Sequence, residues 1–387
     1  MLGNFEYYNP TKLYFGEQAL DGLRKELPKY GKNILLVYGG GSIKKIGLYD
    51  SIIKLFADAG IEWFELGGVD PNPRVESVRE GVRLCREHEI DVVIPAGGGS
   101  AIDCAKAVAA CASYEGDAWD MVSGKVKVGE VLPVIAVLTV AATGSEMDTS
   151  AVISNPETRD KIGFSNAAMR PKVSIMDPEY TYSVSKYQTA AGTADIISHV
   201  LEVYFNNNPG AYLQNRFCEA VLKTAVAYGH RAYRDPEDYE ARANLMWAGS
   251  WAINGLLSKG NPVGWSAHSM EHELSAFYDI THGAGLAVLI PHWLRHMMRE
   301  ENLYNYVEYG VEIWRIDPSL DPHEIAEKAI GATEDYFKEM DLPSTLRELG
   351  IDEEYFDEMA EKAGAGLKKA FIPMEKEDVL AIFKAAL

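Results

Sequence analysis

Short apolar runs alternate with segments of helical periodicity through the first half of the chain, and this alternation constrains the fold more than any other feature. The predicted strands and helices follow one another as Asn33–Tyr38, Ser51–Ala59, Ile61–Leu66, Val75–His88, Asp91–Pro95, Ala101–Ala112 and Leu132–Val140. Strands that alternate with helices predict a parallel, doubly wound sheet. Uninterrupted apolar strands fit this prediction, because helices cover both faces of such a sheet.

After about Tyr187 the pattern becomes helical. Helices are predicted over Gln188–Phe205, Tyr212–Tyr233, Tyr239–Leu257, Trp265–Phe277, Gly283–Met298 and Glu375–Ala386. Asp321, Pro322 and Glu324 have the spacing of a helix N-terminus, and Asp352 is a candidate cap for another helix. We therefore predict an α/β domain over residues 1–186 and an all-helical domain over residues 187–387. The cleft between two such domains is the default place to expect a ligand.

Charge and composition exclude several classes of function. The 387 residues carry a net charge of -20, which argues against binding to nucleic acid or to an anionic membrane. The four cysteines form no Cys-x-x-Cys pair, so we expect them in the core. The chain begins without a signal-peptide pattern, and its longest apolar run, Val131–Ala142, is too short to cross a bilayer. These features predict a cytoplasmic protein.

A turn of three glycines and a serine, Gly97–Ser100, joins a predicted strand to a predicted helix. Glycine lets a ligand approach the backbone, and a helix N-terminus offers unpaired N–H groups, so this turn suits a phosphate. The alternative is a tight turn that needs glycine for its dihedral angles. Asp103 falls in the first helical turn, where it could favour the helix dipole or hydrogen-bond a cofactor.

Two further loops extend the same pattern. Gly39–Ser42 follows the first strand, and Lys44 and Lys45 come soon after it. No carboxylate ends this strand to repel a 2′-phosphate, which favours NADP(H) over NAD(H), although the lysines could simply be solvated. The spacing is not the G-x-G-x-x-G fingerprint. Hydroxyls in the third loop, Thr139–Glu146, could line the same groove or be ordinary loop residues.

Histidines in the helical half suggest a metal site. Asp195 and His199 lie four residues apart on one predicted helix, and His268 and His272 have the same spacing on another, while His282 opens the next helix. Any single pair is more commonly exposed or structural. One carboxylate and three imidazoles from neighbouring segments, however, would suit Fe²⁺ or Zn²⁺. A further pair, His292 and His296, is flanked by arginines and is interpreted as part of a solvated face.

Taken together, these motifs resemble the iron-containing (group III) alcohol dehydrogenases, and within them the butanol dehydrogenase-like, NADP-dependent aldehyde reductases. The resemblance covers nearly the whole chain. Its matching stretches are Tyr38–Ser42, Pro71–Pro73, Gly97–Ser100, Asp103 with Lys106, Thr139–Glu146, Asp177 with Pro178, Asp195 with His199, His268 with His272, and His282–Gly285. The architecture implied is that shared with dehydroquinate synthase: a dinucleotide-binding α/β domain followed by a helical metal-binding domain.

The family pattern implies roles for individual residues. Asp195, His199, His268 and His282 would bind the catalytic metal, and His272 would lie near the nicotinamide and the substrate. The residues expected around the dinucleotide are Gly39, Gly40, Ser42, Asn72, Gly98, Gly99, Ser100, Asp103, Thr139, Thr143, Ser145, Lys161 and Tyr180. The metal would act as a Lewis acid on the oxygen of a small alcohol or aldehyde such as butanol or butanal. The resemblance also implies a homodimer.

Three alternatives remain at this point. A lyase similar to dehydroquinate synthase would use NAD and a metal on the same fold, but the helical half lacks an obvious cluster of basic residues for its phosphorylated substrate. A metallohydrolase would leave the glycine loops unexplained. A non-catalytic metal or nucleotide sensor would bind cofactor without turnover.

Overall fold

The computed structural model describes residues 2–206, 208, 210–261, 263–368, 370 and 372–387, which form two compact units. The α/β unit comprises Asn9–Val184 and Pro236–Ser250, and the helical unit comprises Met1–Tyr8, Ser185–Asp235 and Trp251–Leu387. The predicted division at residues 186/187 assigned Pro236–Ser250 to the helical domain. These residues instead belong to the α/β unit, because Met246 packs into an apolar cluster with core residues of that unit.

Strands and helices alternate along the α/β unit. Its elements are β1 (Lys12–Phe15), α1 (Leu20–Glu26), β2 (Asn33–Val37), α2 (Ser42–Lys45), α3 (Leu48–Asp58), β3 (Glu62–Leu66), α4 (Val75–Glu87), β4 (Val92–Gly97), α5 (Gly99–Cys111), α6 (Ala118–Val122), β5 (Ile135–Leu138), β6 (Ser150–Asn155), β7 (Asp160–Ser165) and β8 (Val173–Met176). A short 3₁₀ turn, Pro178–Thr181, follows β8.

Six of these strands form a parallel sheet in the order β1-β8-β5-β4-β2-β3, and β6 and β7 form a separate antiparallel pair. From β2 the chain continues to β3 on one side, whereas from β4 it continues to β5 on the other side. Adjacent parallel strands whose connections diverge in this way leave a crevice at their carboxyl ends, and open α/β sheets bind ligands there. The loops after β2 and β4 lie at this point.

Both faces of the sheet are buried, as the apolar strands predict. Ile34 and Leu36 of β2 pack with α1 and α3 on one face, while Leu35 and Val37 pack with α4, α5 and α6 on the other. Successive strand residues point to opposite faces, so a strand covered on both sides needs an apolar residue at every position. The four cysteines are buried and unbridged, as expected.

The helical unit is built around one buried helix. Its helices are α7 (Lys186–Tyr204), α8 (Tyr212–Arg234), the last residues of α9 (Tyr239–Ile253), α10 (Ser266–Tyr278), α11 (His282–Met297), α12 (Leu303–Glu312), α13 (Pro322–Glu339), α14 (Phe356–Leu367) and α15 (Lys376–Ala385). Every residue of α7 from Thr189 to Tyr204 is buried, and α8, α10 and α11 pack against this helix. A Cβ on Gly283 of α11 would collide with the Ala191 carbonyl of α7, so glycine allows a close approach there.

The predicted helices and the four predicted strands all form, with ends shifted by a few residues. Strands β1, β6, β7 and β8 were not predicted. Asp321 caps α13 as expected, since its Oδ1 accepts a hydrogen bond from His323 N at 2.9 Å. Asp352 instead caps a turn that precedes α14, where it accepts from Glu354 N at 3.0 Å. Among the described residues, no helix combines the length and the apolar character needed to cross a membrane.

Candidate metal centre and cofactor loops

Three helices of the helical unit bring the predicted metal ligands together. Asp195 and His199 lie one turn apart on α7, His268 lies in the first turn of α10, and His282 is the first residue of α11. Asp195, His199 and His268 are buried, and the His282 side chain is 23% exposed. Glycine at position 283 helps to place His282, because it lets the start of α11 approach α7.

The three imidazoles surround one carboxylate oxygen, Asp195 Oδ1. This oxygen lies 3.6 Å from His199 Nδ1, 3.8 Å from His268 Nε2 and 3.6 Å from His282 Nε2. The rings of His199 and His268 stack, with centroids 4.5 Å apart. These separations are too long for hydrogen bonds and leave room for a shared partner.

Three of these atoms are buried without any hydrogen-bond partner among the described residues: Asp195 Oδ1, His199 Nδ1 and His268 Nε2. Unpaired polar atoms are rare in a protein interior because leaving them unpaired is costly. Three of them facing one another fit a cation that takes lone pairs from all. One carboxylate and three imidazoles is a donor set that suits a divalent first-row metal ion.

The charges at this centre depend strongly on one another. Burial would raise the pKa of Asp195, but the three neighbouring histidines lower it below the usual range of a carboxyl group. Burial lowers the pKa of His199 to about 3, so its ring is neutral. Burial would also lower the pKa of His268, but the carboxylates of Asp195 and Glu202 raise it to about 9. A buried anion here therefore attracts positive charge, which is what a cation site requires.

Two carboxylates that the sequence interpretation missed lie behind the histidines. Glu202 of α7 accepts from His268 Nδ1 at 2.5 Å, and Glu271 of α10 hydrogen-bonds to His282 Nδ1. A helical signal for Glu202 was available, because it lies seven residues after Asp195 and so on the same face of α7. Glu271 lies three residues after His268, a spacing that also places both on one side of a helix.

The other histidines singled out in the sequence have different surroundings. His272, one turn after His268 on α10, is half-buried, with its ring centroid 5.6 Å from that of His282. Together with Glu271 and His282 it forms a second close group of potential donor atoms. His296 pairs with Asp378 of α15 at 3.0 Å, and burial lowers the pKa of the half-buried His292.

The predicted phosphate loops lie in the α/β unit at the crevice between β2 and β4. Gly41 caps α2 with a φ of 98°, a conformation that favours glycine. Gly98 is the N-cap of α5 and has no side chain with which to bond the first N–H groups of the helix, which suits an anion. A Cβ on Gly99 would collide with Thr143, so the loop after β5 packs closely against the start of α5.

Asp103 and Ser145, both predicted near the cofactor, bond within the protein. Asp103 accepts from Ser145 Oγ at 2.5 Å and from Val152 N at 2.9 Å. The fully buried Lys106 donates to Ser145 Oγ at 2.8 Å and also bonds to Asp148. Burial raises the pKa of Asp103 to about 6. This network ties α5 to the loop after β5 and to β6, so it fixes the shape of two loops that were predicted to hold the cofactor.

The other predicted cofactor residues occupy loops and strand ends of the same unit. Thr139 follows β5 directly, and its N–H donates to Gly97 O at 3.0 Å. Asn72, before α4, has a positive φ of 53°. Lys161 is buried in β7, and burial raises the pKa of Tyr180, in the turn after β8, to about 12. The rest lie in the first loop (Gly39, Gly40, Ser42) and at the start of α5 (Ser100).

The two lysines near the first loop have different surroundings. Lys44 Nζ lies 4.8 Å from the ring centroid of Tyr38 and 4.6 Å from that of Tyr49. Both tyrosine hydroxyls donate to Glu65, at 2.7 and 2.6 Å. Lys44 is thus held by two aromatic rings beside a carboxylate, whereas no such contact holds Lys45 among the described residues; both lysines are exposed.

Comparisons with known proteins identify matches to both halves of the chain. The family model described as iron-containing alcohol dehydrogenase matches residues 10–178, and the model of the C-terminal region of Fe-containing alcohol dehydrogenases matches residues 189–387. The NADH-dependent butanol dehydrogenase B of Clostridium acetobutylicum is 51% identical to the chain, over 99% of this chain and 100% of that protein. The NADPH-dependent aldehyde reductase YqhD of Escherichia coli is 36% identical, over 91% of this chain and 90% of that protein.

A solved structure gives the same result. The crystal structure of NADH-dependent butanol dehydrogenase A from Thermotoga maritima superposes with a TM-score of 0.95 and 39% identity, over 100% of this chain and 99% of that one. The resemblance stated from the motifs and the fold expected from it are confirmed, and the lyase alternative is not favoured. The chain belongs to the iron-containing alcohol dehydrogenase family and is a nicotinamide-dependent oxidoreductase of alcohols and aldehydes.

Proposed function

We propose that this protein interconverts small primary alcohols and aldehydes, such as butanol and butanal, and that Asp195, His199, His268 and His282 hold the divalent ion it needs. The observation that carries the proposal is the group of unpaired, buried donor atoms around Asp195 Oδ1. The similarity to butanol dehydrogenases and to an aldehyde reductase supports the substrate class.

A bound Fe²⁺ or Zn²⁺ would supply Lewis-acid polarisation of the substrate oxygen. Two residues of the chain favour binding of such an ion. Asp195 contributes a buried negative charge that attracts the cation, and the neutral His199 ring offers a lone pair rather than a competing positive charge. The helices that carry these residues are packed and buried, so the donor atoms are fixed before an ion arrives.

Cofactor binding is proposed at the loops after β2, β4 and β5. Gly39 and Gly98 would let the dinucleotide approach the backbone, and the first turn of α5 would face its phosphates. Gly99 would keep the loop after β5 close to this turn. Asp103 and Ser145 would act through the loop that they hold, since their side chains already bond to each other.

NADP(H) is proposed as the cofactor, with NAD(H) as the alternative. The loop from Gly39 to Ser42 carries no carboxylate to repel a 2′-phosphate, and Lys45 is exposed nearby. Against this, Lys44 is already held by Tyr38 and Tyr49. The names of the Clostridium and Thermotoga relatives specify NADH, and that of YqhD specifies NADPH.

His272 is proposed to carry the proton that the reaction takes up or releases. It is half-buried next to His282, so its ring can reach both the interior of the centre and water. A histidine suits this task because its ordinary pKa lies near neutral pH.

A homodimer is also proposed. Strand β1 is at the edge of the sheet, and Phe15 at its end is 43% exposed and packs edge-on against Trp247, which is 39% exposed. Exposed aromatic side chains at an open sheet edge are typical of an interface between subunits.

The proposed reaction is tested by following absorbance at 340 nm with butanal under anaerobic conditions, using NADPH and NADH in parallel. The protein is assayed as purified, after removal of metal by a chelator, and after addition of Fe²⁺ or Zn²⁺. We expect reduced cofactor to be consumed, consumption to stop after chelation, and activity to return with metal.

The outcomes separate the parts of the proposal. Consumption of NADH but not NADPH would overturn the NADP(H) assignment alone. Turnover that survives complete removal of metal would overturn the role of the four ligands. Cofactor binding without turnover of any small aldehyde would favour the sensor alternative.

A further inference from the structure

Two of the proposed histidine ligands have a buried carboxylate on the side that faces away from Asp195. His268 Nδ1 lies 2.5 Å from Glu202 Oε2, and His282 Nδ1 bonds to Glu271 Oε2. In each ring the other nitrogen, Nε2, faces Asp195 Oδ1. Each imidazole thus lies between a carboxylate behind it and the metal position in front of it.

This arrangement selects one tautomer of each ring. A carboxylate oxygen only accepts hydrogen bonds, so the Nδ1 atom beside it carries the proton. In the neutral form of the ring, the form that binds a metal ion, the lone pair then belongs to Nε2, the atom that faces Asp195. A metal ion binds the nitrogen without a proton, and a carboxylate behind the ring also makes that nitrogen more basic.

The Glu202 side chain is itself fixed by hydrogen bonds from the first turn of α10. Its side chain is 1% exposed, and its oxygens accept from the backbone N–H groups of Ala267 and His268 at 2.8 and 3.1 Å. These N–H groups belong to the first turn of α10, where the N-cap residue Trp265 contributes no side-chain bond. Glu202 therefore caps α10 from a neighbouring helix and orients His268 with the same carboxylate.

Glu271 is equally constrained. Its side chain has no solvent exposure, and its second oxygen accepts a hydrogen bond from Ser275 Oγ, one turn later on α10. A Cβ on Gly285 of α11 would lie 3.0 Å from Glu271 Cγ, so the glycine leaves space for this side chain. The carboxylate cannot easily turn away from His282.

We propose that Glu202 and Glu271 are positioning residues of the metal centre, which orient His268 and His282 and increase the affinity for the ion through their negative charge. The inference rests on the metal site proposed above and goes beyond its four ligands. The two contacts link three helices. Glu202 of α7 orients His268 of α10, and Glu271 of α10 orients His282 of α11. Partners of this kind typically change metal affinity by roughly 10- to 100-fold.

The inference is tested on the metal-loaded, full-length protein, with Co²⁺ and Zn²⁺ as probes. The variants are Glu202→Gln, Glu271→Gln and Glu271→Ala. The measurements are the dissociation constant from competition with a chelator, the rate of metal release, and the absorption spectrum of the Co²⁺ form. A purely structural role would not alter the Co²⁺ spectrum of a protein that remains folded.

We expect each glutamine variant to bind metal roughly 10- to 100-fold more weakly, because it keeps an acceptor oxygen but loses the charge. Glu271→Ala should bind more weakly still and shift the Co²⁺ spectrum, because His282 loses its partner. The control is Glu219→Gln, which alters a buried glutamate of α8 that bonds to Tyr204 and Arg216, outside the centre. It should leave both metal affinity and spectrum unchanged.

Failure of this inference can be told from failure of the proposed metal site. If the parent protein binds neither Co²⁺ nor Zn²⁺ at the centre, the metal site itself is overturned. If the parent binds metal and both glutamine variants keep its affinity, release rate and spectrum, the positioning role is overturned and the site stands. Should circular dichroism show a glutamate variant to be unfolded, Ser275→Ala decides, since it frees Glu271 without removing it and should speed metal release.

Discussion

Gly283 at the start of α11 lies against the Ala191 carbonyl of α7, so closely that a Cβ would overlap the oxygen. The neighbouring residue, His282, faces Asp195 of α7. The absence of a side chain at position 283 therefore sets the distance between two elements of the proposed metal centre.

Gly283→Ala should push α11 away from α7 and carry His282 with it. We expect a loss of about 1–3 kcal/mol in the free energy of unfolding, as for other overpacked cores, together with weaker metal binding. Chemical denaturation and metal analysis measure the two effects. The matched control is Gly331→Ala in α13, where a Cβ meets nothing within 4 Å and should be neutral or stabilising. Equal behaviour of the two variants would contradict the close-packing argument.

Removing the buried cation Lys106 should destabilise the α/β unit. Lys106→Met leaves the carboxylates of Asp103 and Asp148 without their positive partner, and breaking such buried pairs costs about 3–5 kcal/mol. We also expect a higher KM for the nicotinamide cofactor, because Ser145 loses a bond that holds its loop. The double variant Lys106→Met/Asp148→Asn should recover part of the stability. No recovery would mean that the loss comes from packing and not from unpaired charge.

The stability of the protein should fall as the pH rises from about 4.5 to about 7, partly because of Glu146. Burial raises the pKa of this carboxyl to about 7. A carboxyl whose pKa is raised by folding stabilises the folded state below its ordinary pKa, and this contribution is lost as the pH rises through about 7. The shift corresponds to roughly 3 kcal/mol.

Glu146→Gln tests this pH dependence, because the amide still offers Ser250 an acceptor but cannot ionise. Its free energy of unfolding, measured by denaturation at several pH values, should change less between pH 5 and pH 8 than that of the parent. Glu115→Gln, at an exposed position, serves as control. Parallel profiles for the parent and Glu146→Gln would exclude Glu146 as a source of the slope.

Gly40→Asp should shift cofactor preference from NADPH toward NADH. A Cβ at Gly40 meets nothing within 4 Å, so the site tolerates a side chain. A carboxylate there would repel the 2′-phosphate of NADPH, and we expect kcat/KM with NADPH to fall by on the order of 10- to 100-fold. Gly40→Ala restricts the backbone in the same way but adds no charge. It should therefore change kcat/KM with either cofactor only slightly. If Gly40→Asp affects both cofactors equally, the first loop does not contact the 2′ position.

His272→Ala should slow turnover by on the order of 100-fold without removing metal. The ring of His272 is 5.6 Å from that of His282, in the second donor group rather than around Asp195 Oδ1. Steady-state kinetics over a range of pH, together with metal analysis, check the prediction, and the variant should lose a pH dependence that the parent shows. Loss of bound metal would instead identify His272 as a ligand.

The spacing of apolar residues in the sequence predicted the strands and helices that are buried in a regular pattern. The run Asn33–Val37 is apolar at every position because it is covered on both faces, and that pattern is visible in the sequence. Strand β1 was missed because it lies at the sheet edge and mixes exposed and half-buried residues over Lys12–Phe15. Strands β6 and β7 pair with each other in an antiparallel hairpin, outside the alternation of strands and helices that was used to find the sheet.

The candidate metal centre, too, could be predicted from the sequence only in part. Spacing alone places Asp195 and His199 on one face of α7. The approach of His268 and His282 to Asp195 depends on how three helices pack, and a contact such as Gly283 against Ala191 is not visible in any local pattern. Glu202 and Glu271 were overlooked because a glutamate on a helix is usually solvated, and only packing shows that these two are buried.

The proposed metal donors come from α7 and from the consecutive helices α10 and α11, which follow much later in the chain. Contacts between such distant segments form late in folding, because long loops must close first. We therefore expect the polypeptide to fold before it acquires its ion, unlike small zinc domains that need the metal in order to fold. The metal bound in a living cell would then depend on which ions are available to the folded protein. The bound metal would therefore change with the metal supply of the cell.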